Sequence, residues 1–385
     1  MADHTAYGGV KTPAGLYIHI PFCRSKCPYC HFYSLADRAA VGPFLAALTR
    51  EMAGYKDQFP VIDTVYIGGG TPSLLTSREM ETLFAALHDH FAIVPDGEKT
   101  VEVNPADGDG EWFSALRGLG VNRLHLGAQS FSDPYLTFLG RRHTVRDIYG
   151  AVDRIVAAGF DNFGLDLIYG LPGQSVEAWH RDVAAAVALQ PAHISAYELA
   201  VEEDTPFGER HRRGEIDLPG EELSRRFFLE TSRRLVQAGY THYEVSNYAR
   251  PADRASRHNQ KYWRHVPYLG LGPAAHSFRE NRRWWNHRDL NAYLTDLNRG
   301  VLPIAASEEL TPAELRLETL FLGLRTAAGI DLKEYQRRFG ADLAATRRPL
   351  IAALVKEGLL VHTGRRLLPT TRGMVVADGL SRSLC

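Results

Sequence analysis

The sequence predicts an α/β protein, an incomplete (β/α)6 barrel followed by a smaller, mainly helical, winged-helix-like C-terminal domain. Three observations predict it. From Gly15 to about Leu199 short β-rich runs alternate with segments of helical period, the pattern of a parallel sheet covered by helices. Most of these runs end in a polar or glycine-rich stretch before the next helix. After Pro312 helical periodicity returns and a short hairpin closes the chain.

Six strands are expected, at 16–20, 64–67, 100–103, 123–126, 163–168 and 194–199. In a (β/α) barrel the loops after the strands gather on one face, where the chemistry sits. Six units leave the barrel open on one side, which suits a large or flat ligand. An amphipathic helix follows at 220–238, with Leu223, Phe227, Phe228, Leu235 and Val236 on one side. The first domain is therefore read as 1–245. From 246 to 310 periodicity fades while His258, Tyr262, Trp263, His265, His276 and His287 crowd together, so this stretch reads as an aromatic and histidine-rich connecting segment. Residues 311–385 form the last domain, with Leu315, Leu320, Phe321 and Leu324 on one helix, Leu350, Leu354 and Val355 on another, and a hairpin at 359–368. Arg347, Arg348, Arg365 and Arg366 invite a DNA reading there; the alternative is a packing module that closes the barrel.

Composition narrows the function. Lys and Arg number 44 against 45 Asp and Glu, so no basic excess supports general nucleic-acid binding. No window reaches the roughly 18 apolar residues of a membrane span, and no signal peptide is visible in the first twenty residues. A cytoplasmic protein is expected, with peripheral association at a membrane left open. Of four cysteines, Cys23, Cys27 and Cys30 are too close together to staple distant parts of the fold, which points to a reducing compartment and a metal or redox task. Cys385 is taken as an incidental thiol.

The close cysteines follow the first strand in YIHIPFCRSKCPYCHFYS, with the spacing C-x3-C-x2-C. Three thiolates on one tight loop suit three corners of a [4Fe-4S] cube and leave the fourth iron open to a small chelating ligand. Spacing alone does not separate this from a zinc site completed by His31. With Tyr29 before the third cysteine, the loop resembles the signature of the radical S-adenosylmethionine superfamily. The phrases YIHIPFC, GGGTPS and EVNP resemble, within it, the oxygen-independent coproporphyrinogen III oxidases and their relatives. The resemblance implies a radical S-adenosylmethionine partial barrel, a cluster on Cys23, Cys27 and Cys30, and S-adenosylmethionine at the open iron. Family contacts to a first nucleotide fall on Tyr17, Tyr29, Gly69 and Glu102; contacts to a second fall on Gly70, Thr71, Gln129, Arg141, Asp166 and Ala200. Read without the family, Gly68, Gly69 and Gly70 let backbone approach a ligand closely, Glu102 suits ribose hydroxyls, and Gln129 and Asp166 equally suit polar layers of the barrel.

Two features depart from the oxidases: His31 and Phe32 replace their x-Cys continuation, and only 22 residues precede Cys23. RHNQKYWR, read as H-N-x-x-Y-W, instead resembles the HemW branch, the haem chaperones of this superfamily. That resemblance implies haem bound at His258, with Tyr262 and Trp263 around it, and delivery to apo-haemoproteins, among them respiratory, membrane-associated ones. On its own, a histidine beside aromatics also reads as a packing residue. The rival is an oxidase that turns over a porphyrinogen propionate through a 5′-deoxyadenosyl radical and needs an electron donor. The open barrel edge leaves room for a homodimer.

Overall fold

The computed structural model describes residues 13–385. Six parallel strands run in sequence order through the middle of one twelve-stranded sheet: β1 (Ala14–Ile20), β2 (Val61–Gly69), β3 (Ala92–Val103), β4 (Arg123–Gln129), β5 (Phe163–Tyr169) and β6 (His193–Glu198). Each lies where the sequence places a strand, and most are longer, because pairing with a neighbour extends β structure past the apolar run. Period-two alternation sorts their side chains. Leu16, Ile18, Val65, Ile67, Val101, Leu124, Leu126, Leu165 and Leu167 are buried against the covering helices. The alternate positions, Tyr17, Tyr66, Glu102, His125 and Asp166, turn into the lumen, which is polar and aromatic. Local signals start the helices: Thr76 with Glu79, Thr144 with Asp147 and Thr311 with Glu314 each form a reciprocal capping box.

The stretch expected to be a connector, 246–310, is instead woven into the barrel sheet. β8 (Asn247–Ala249) adds antiparallel to β6 and β7 (Thr241–Glu244) adds antiparallel to β8; β9 (Tyr268–Leu271) pairs parallel to β1 and is followed by β10 (His276–Arg279), β11 (Arg282–Asn286) and β12 (Ile304–Glu309). Its aromatics are structural in part: Trp284 packs on Tyr55 and donates to its hydroxyl at 3.0 Å. Buried Glu51 accepts from Gly272 N, Asn286 and Tyr293, which ties this flank to the first barrel helix, Val41–Tyr55. On the helix Glu221–Gln237, Val236 is exposed rather than packed.

The last part of the chain has its own core, built from Leu320, Leu324, Ile330, Leu332, Tyr335, Ile351, Leu360 and Leu367 around a three-stranded sheet of β13 (Ile330–Asp331), β14 (Leu360–His362) and β15 (Arg366–Pro369). Three of its four singled-out arginines are engaged internally. Arg347 donates to the carbonyls of Leu384 and Cys385, and Arg365 and Arg366 pair with Asp331. Among the described residues no helix is long and apolar enough to cross a membrane.

Candidate functional site

The cysteine loop leaves β1 at the C-terminal mouth of the barrel. A bridge between Phe22 and Leu35 pinches its base, with Cys23 N donating to Leu35 O and Leu35 N to Pro21 O. The three thiols are free and half-buried. Thr71, just past β2, donates its hydroxyl to Cys23 Sγ at 3.3 Å. Arg141 lies beside Cys27 Sγ and the Tyr29 hydroxyl, both at 3.5 Å, and is anchored to Gly127 O at 3.1 Å.

The glycine run also has a packing role. A Cβ on Gly68 would meet Glu102, one on Gly69 would meet His19, and one on Gly70 would meet the carbonyls of Ile20 and Phe22, all within 2.8 Å. The glycines are thus required first to let β2 nest against the cysteine loop and the lumen. Gly69 also has φ of +103°, which only glycine adopts freely. His19, not singled out in the sequence, is the residue this nesting accommodates. Its Nδ1 meets the Tyr17 hydroxyl and its Nε2 the carbonyl of Tyr33 at 2.7 Å, so it ties the far end of the loop to the strand.

Glu102 accepts from the Tyr66 hydroxyl at 2.8 Å and from Gly69 N at 3.2 Å. Burial, reinforced by Asp166, pushes its pKa up to about 7. Asp166 faces His125 Nδ1 at 3.2 Å. Gln129 ends β4 at φ +67°, a left-handed conformation rare outside glycine that costs about 1–3 kcal/mol. Asp182 holds the turn in place by accepting from Ser130 Oγ and Phe131 N. Ala200 is exposed just beyond β6. The structure therefore brings Tyr17, Tyr29, Gly69, Gly70, Thr71, Glu102, Gln129, Arg141, Asp166 and Ala200 to the lumen and its C-terminal mouth.

These residues fit a cluster with a ligand over it. Arg141 Nε is buried without a partner beside the thiols, and three cysteines on a pinched loop offer soft donors. His31, the zinc alternative, is turned to Asp204 at 2.7 Å. Among the described residues no three His, Cys, Asp or Glu side chains converge on a single-ion centre. A zinc ion needs that convergence, whereas a cubane gives each thiolate its own iron.

The H-N-x-x-Y-W residues lie towards the N-terminal end of the barrel, against Gly15 of β1 and Thr64 and Tyr66 of β2. The helix Arg257–Trp263 plugs that opening. Glu98 of β3 accepts from Ser256 Oγ, Arg257 N and His258 N, while Arg123 of β4, 1% exposed, pairs with Glu98 at 3.7 Å and donates to Arg254 O. Gly15 makes room: a Cβ there would strike Lys261 at 2.7 Å. Neither Glu98 nor Arg123 carried a motif in the sequence.

The haem contact expected at His258 meets a different geometry. His258 is 1% exposed, its Nδ1 bonds Thr64 Oγ1 at 2.9 Å, its Nε2 bonds the Tyr262 hydroxyl at 2.8 Å, and its ring stacks on Tyr66. Both ring nitrogens are thus hydrogen-bonded to neighbouring side chains. Trp263 lines a cavity of about 530 Å³ together with His265 and Arg338.

Burial, followed by the charge of Lys261, depresses the His258 pKa to about 3. Unfolded, the ring titrates near 6.5, so its contribution to stability is present above that pH and is lost as the pH falls towards 3. Over about pH 5–6, urea titrations of His258→Gln should show a pH slope of unfolding free energy about 1.4 kcal/mol per unit shallower than the parent's. Equal slopes would place the imidazole in solvent.

Residues 17–185 match the sequence profile of the Radical SAM superfamily, and residues 310–376 that of the HemN C-terminal domain. The crystal structure of coproporphyrinogen III oxidase (HemN) from Escherichia coli superposes with a TM-score of 0.83, covering 97% of this chain and 90% of that one at 23% identity. The fold is thus that of a radical S-adenosylmethionine protein. Among curated proteins, Heme chaperone HemW of Mycobacterium tuberculosis is 39% identical over 97% of this chain and 95% of its own. Heme chaperone HemW of Synechocystis is 41% identical over 84% and 80%. The chain belongs to the HemW family.

Proposed function

We propose that the protein binds haem and passes it to apo-haemoproteins, with a [4Fe-4S] cluster and S-adenosylmethionine held at the C-terminal mouth of its barrel. The 39% identity to the mycobacterial haem chaperone over nearly the full length of both chains carries this reading. Cys23, Cys27 and Cys30 hold the cluster; Tyr17, Tyr29, Gly69 and Glu102 face S-adenosylmethionine at its open iron; and Gly70, Thr71, Gln129, Arg141, Asp166 and Ala200 complete the surrounding wall. Bound there, the cluster supplies an open coordination site and an electron. Glu102 accepts hydrogen bonds from ribose hydroxyls, while Arg141 holds Tyr29 and the loop against β4. Haem is received at the floor helix, at His258 with Tyr262 and Trp263 around it. Acceptors are apo-haemoproteins, respiratory ones among them, met in the cytoplasm or at the membrane surface.

Anaerobic reconstitution followed by titration with haem, watched by Soret absorbance, tests this. The expected result is a saturable transition at one haem per chain. An unsaturable, linear rise matching haem in buffer would sink the chaperone reading.

A further inference from the structure

His258 is 1% exposed, so a ligand as broad as haem reaches it only after the structure around the floor helix moves apart. The place for such a movement is the cavity beside Trp263, which lies between two bodies with separate cores. Ala14, Trp263 and Pro267 line it from the barrel; Thr319, Tyr335 and Phe339 line it from the C-terminal part. It is also next to the motif. Gly15, the neighbour of Ala14, sits against the His258 ring, which a Cβ there would meet at 3.2 Å, and Tyr262, the neighbour of Trp263, bonds the Nε2 of that ring.

Two kinds of contact hold the C-terminal part against the barrel. Main-chain bonds from Val245 N to Arg325 O at 2.8 Å and from Ala327 N to Tyr243 O at 3.0 Å make a fixed joint. Near the cavity the tie is ionic. Among the described residues, the ion pairs that join the two bodies converge on one carboxylate, Glu318 of the helix Pro312–Gly323. It accepts two bonds from Arg283 of β11, at 2.8 and 3.0 Å, and one at 3.0 Å from Nε2 of His265, just past the floor helix. Burial raises the Glu318 pKa, but the hydrogen bonds and charges of His265 and Arg283 outweigh it and hold the group at about 2, so the carboxylate is charged throughout the neutral range. Thr319 Oγ1 and Arg338 reach His265 Nδ1 only at 3.4 Å and add little. The Arg283 and Glu318 side chains are 25% and 26% exposed. A charge tie that water can reach holds two surfaces together and still opens, unlike a sealed apolar seam.

We propose that the C-terminal part is a gate over the haem-binding motif and that Glu318 is its latch, a positioning residue that touches no haem. Opening about the joint at residues 243–245 widens the cavity and uncovers the floor helix; closing restores the latch with or without haem inside. The proposal rests on the chaperone reading and keeps haem at His258, Tyr262 and Trp263.

The test is stopped-flow mixing of haem with the full-length reconstituted protein, followed by Soret absorbance, in the parent, Glu318→Ala and Arg283→Gln, with equilibrium titrations alongside. The second variant cuts the same tie from the barrel side. A gate held shut in both the free and the loaded state slows entry and exit alike, so each variant should take up haem about five-fold faster or more, with its affinity changed by less than about two-fold. Amides of the floor helix should also exchange hydrogen faster in both variants before haem is added. A purely structural role would instead lower haem affinity or capacity and leave uptake at the parent's rate or slower, which overturns the gate. A parent that binds no haem removes the chaperone reading and the gate with it. A parent that binds haem, with both variants taking it up at the parent's rate, removes the gate alone.

Discussion

Replacing Glu98 by alanine should lower the free energy of unfolding by about 3–5 kcal/mol, the cost of breaking one side of a buried ion pair. Glu98 gathers two backbone N–H groups at the start of the floor helix, the Ser256 hydroxyl and the Arg123 guanidinium, and both charged side chains are nearly fully buried. Alanine would leave Arg123 charged and without its carboxylate inside the barrel, with Arg254 O its nearest acceptor. Glu98→Gln keeps an acceptor for the helix and should lose less. Urea unfolding near neutral pH, followed by circular dichroism, measures both. A loss for alanine under about 1 kcal/mol, the size of an exposed pair, would mean that the floor is open to water. Because His258, Tyr262 and Trp263 lie on that helix, a loosened floor should also weaken haem binding.

Cys27→Ala should abolish cluster assembly while leaving the barrel folded. The Phe22–Leu35 bridge and the strand-end hydrogen bonds that shape the loop do not involve the Cys27 side chain. Two thiolates cannot hold the three corners that a site-differentiated cluster needs. After anaerobic reconstitution, iron content and the broad visible absorbance of the variant should fall to background, with the unfolding midpoint of the metal-free protein close to the parent's. His31→Ala and Cys385→Ala should retain the full cluster. Iron kept in Cys27→Ala and lost in His31→Ala would restore the single-ion alternative.

The six central strands were readable because each joins an apolar run to a polar or glycine-rich end, and buried parallel strands depend on that run more than on their partners. The cysteine loop was visible from its spacing, although spacing alone left a zinc site beside the cluster. The flanking strands, from Thr241–Glu244 to Ile304–Glu309, were not, since segments of three to six residues gain their order from edges supplied by distant β1 and β6. H-N-x-x-Y-W shows the same limit. The motif was visible, but the contacts of His258 with Thr64 and Tyr262 were not, since Glu98, 160 positions away, captures the start of its helix. The cavity was least legible, since Trp263, His265 and Arg338 meet only when the C-terminal part packs beneath the barrel floor.

The most direct measurement of the central claim is haem transfer. The reconstituted protein loaded with one haem is mixed with an apo-respiratory haemoprotein, and separately with a haem scavenger that does not contact it, while both Soret bands are followed. The account predicts loss from the carrier matched one for one by the acceptor, faster than release to the scavenger. Equal rates to both, together with conversion of coproporphyrinogen III over many turnovers when S-adenosylmethionine and a reductant are supplied, would contradict it and make the protein an oxidase.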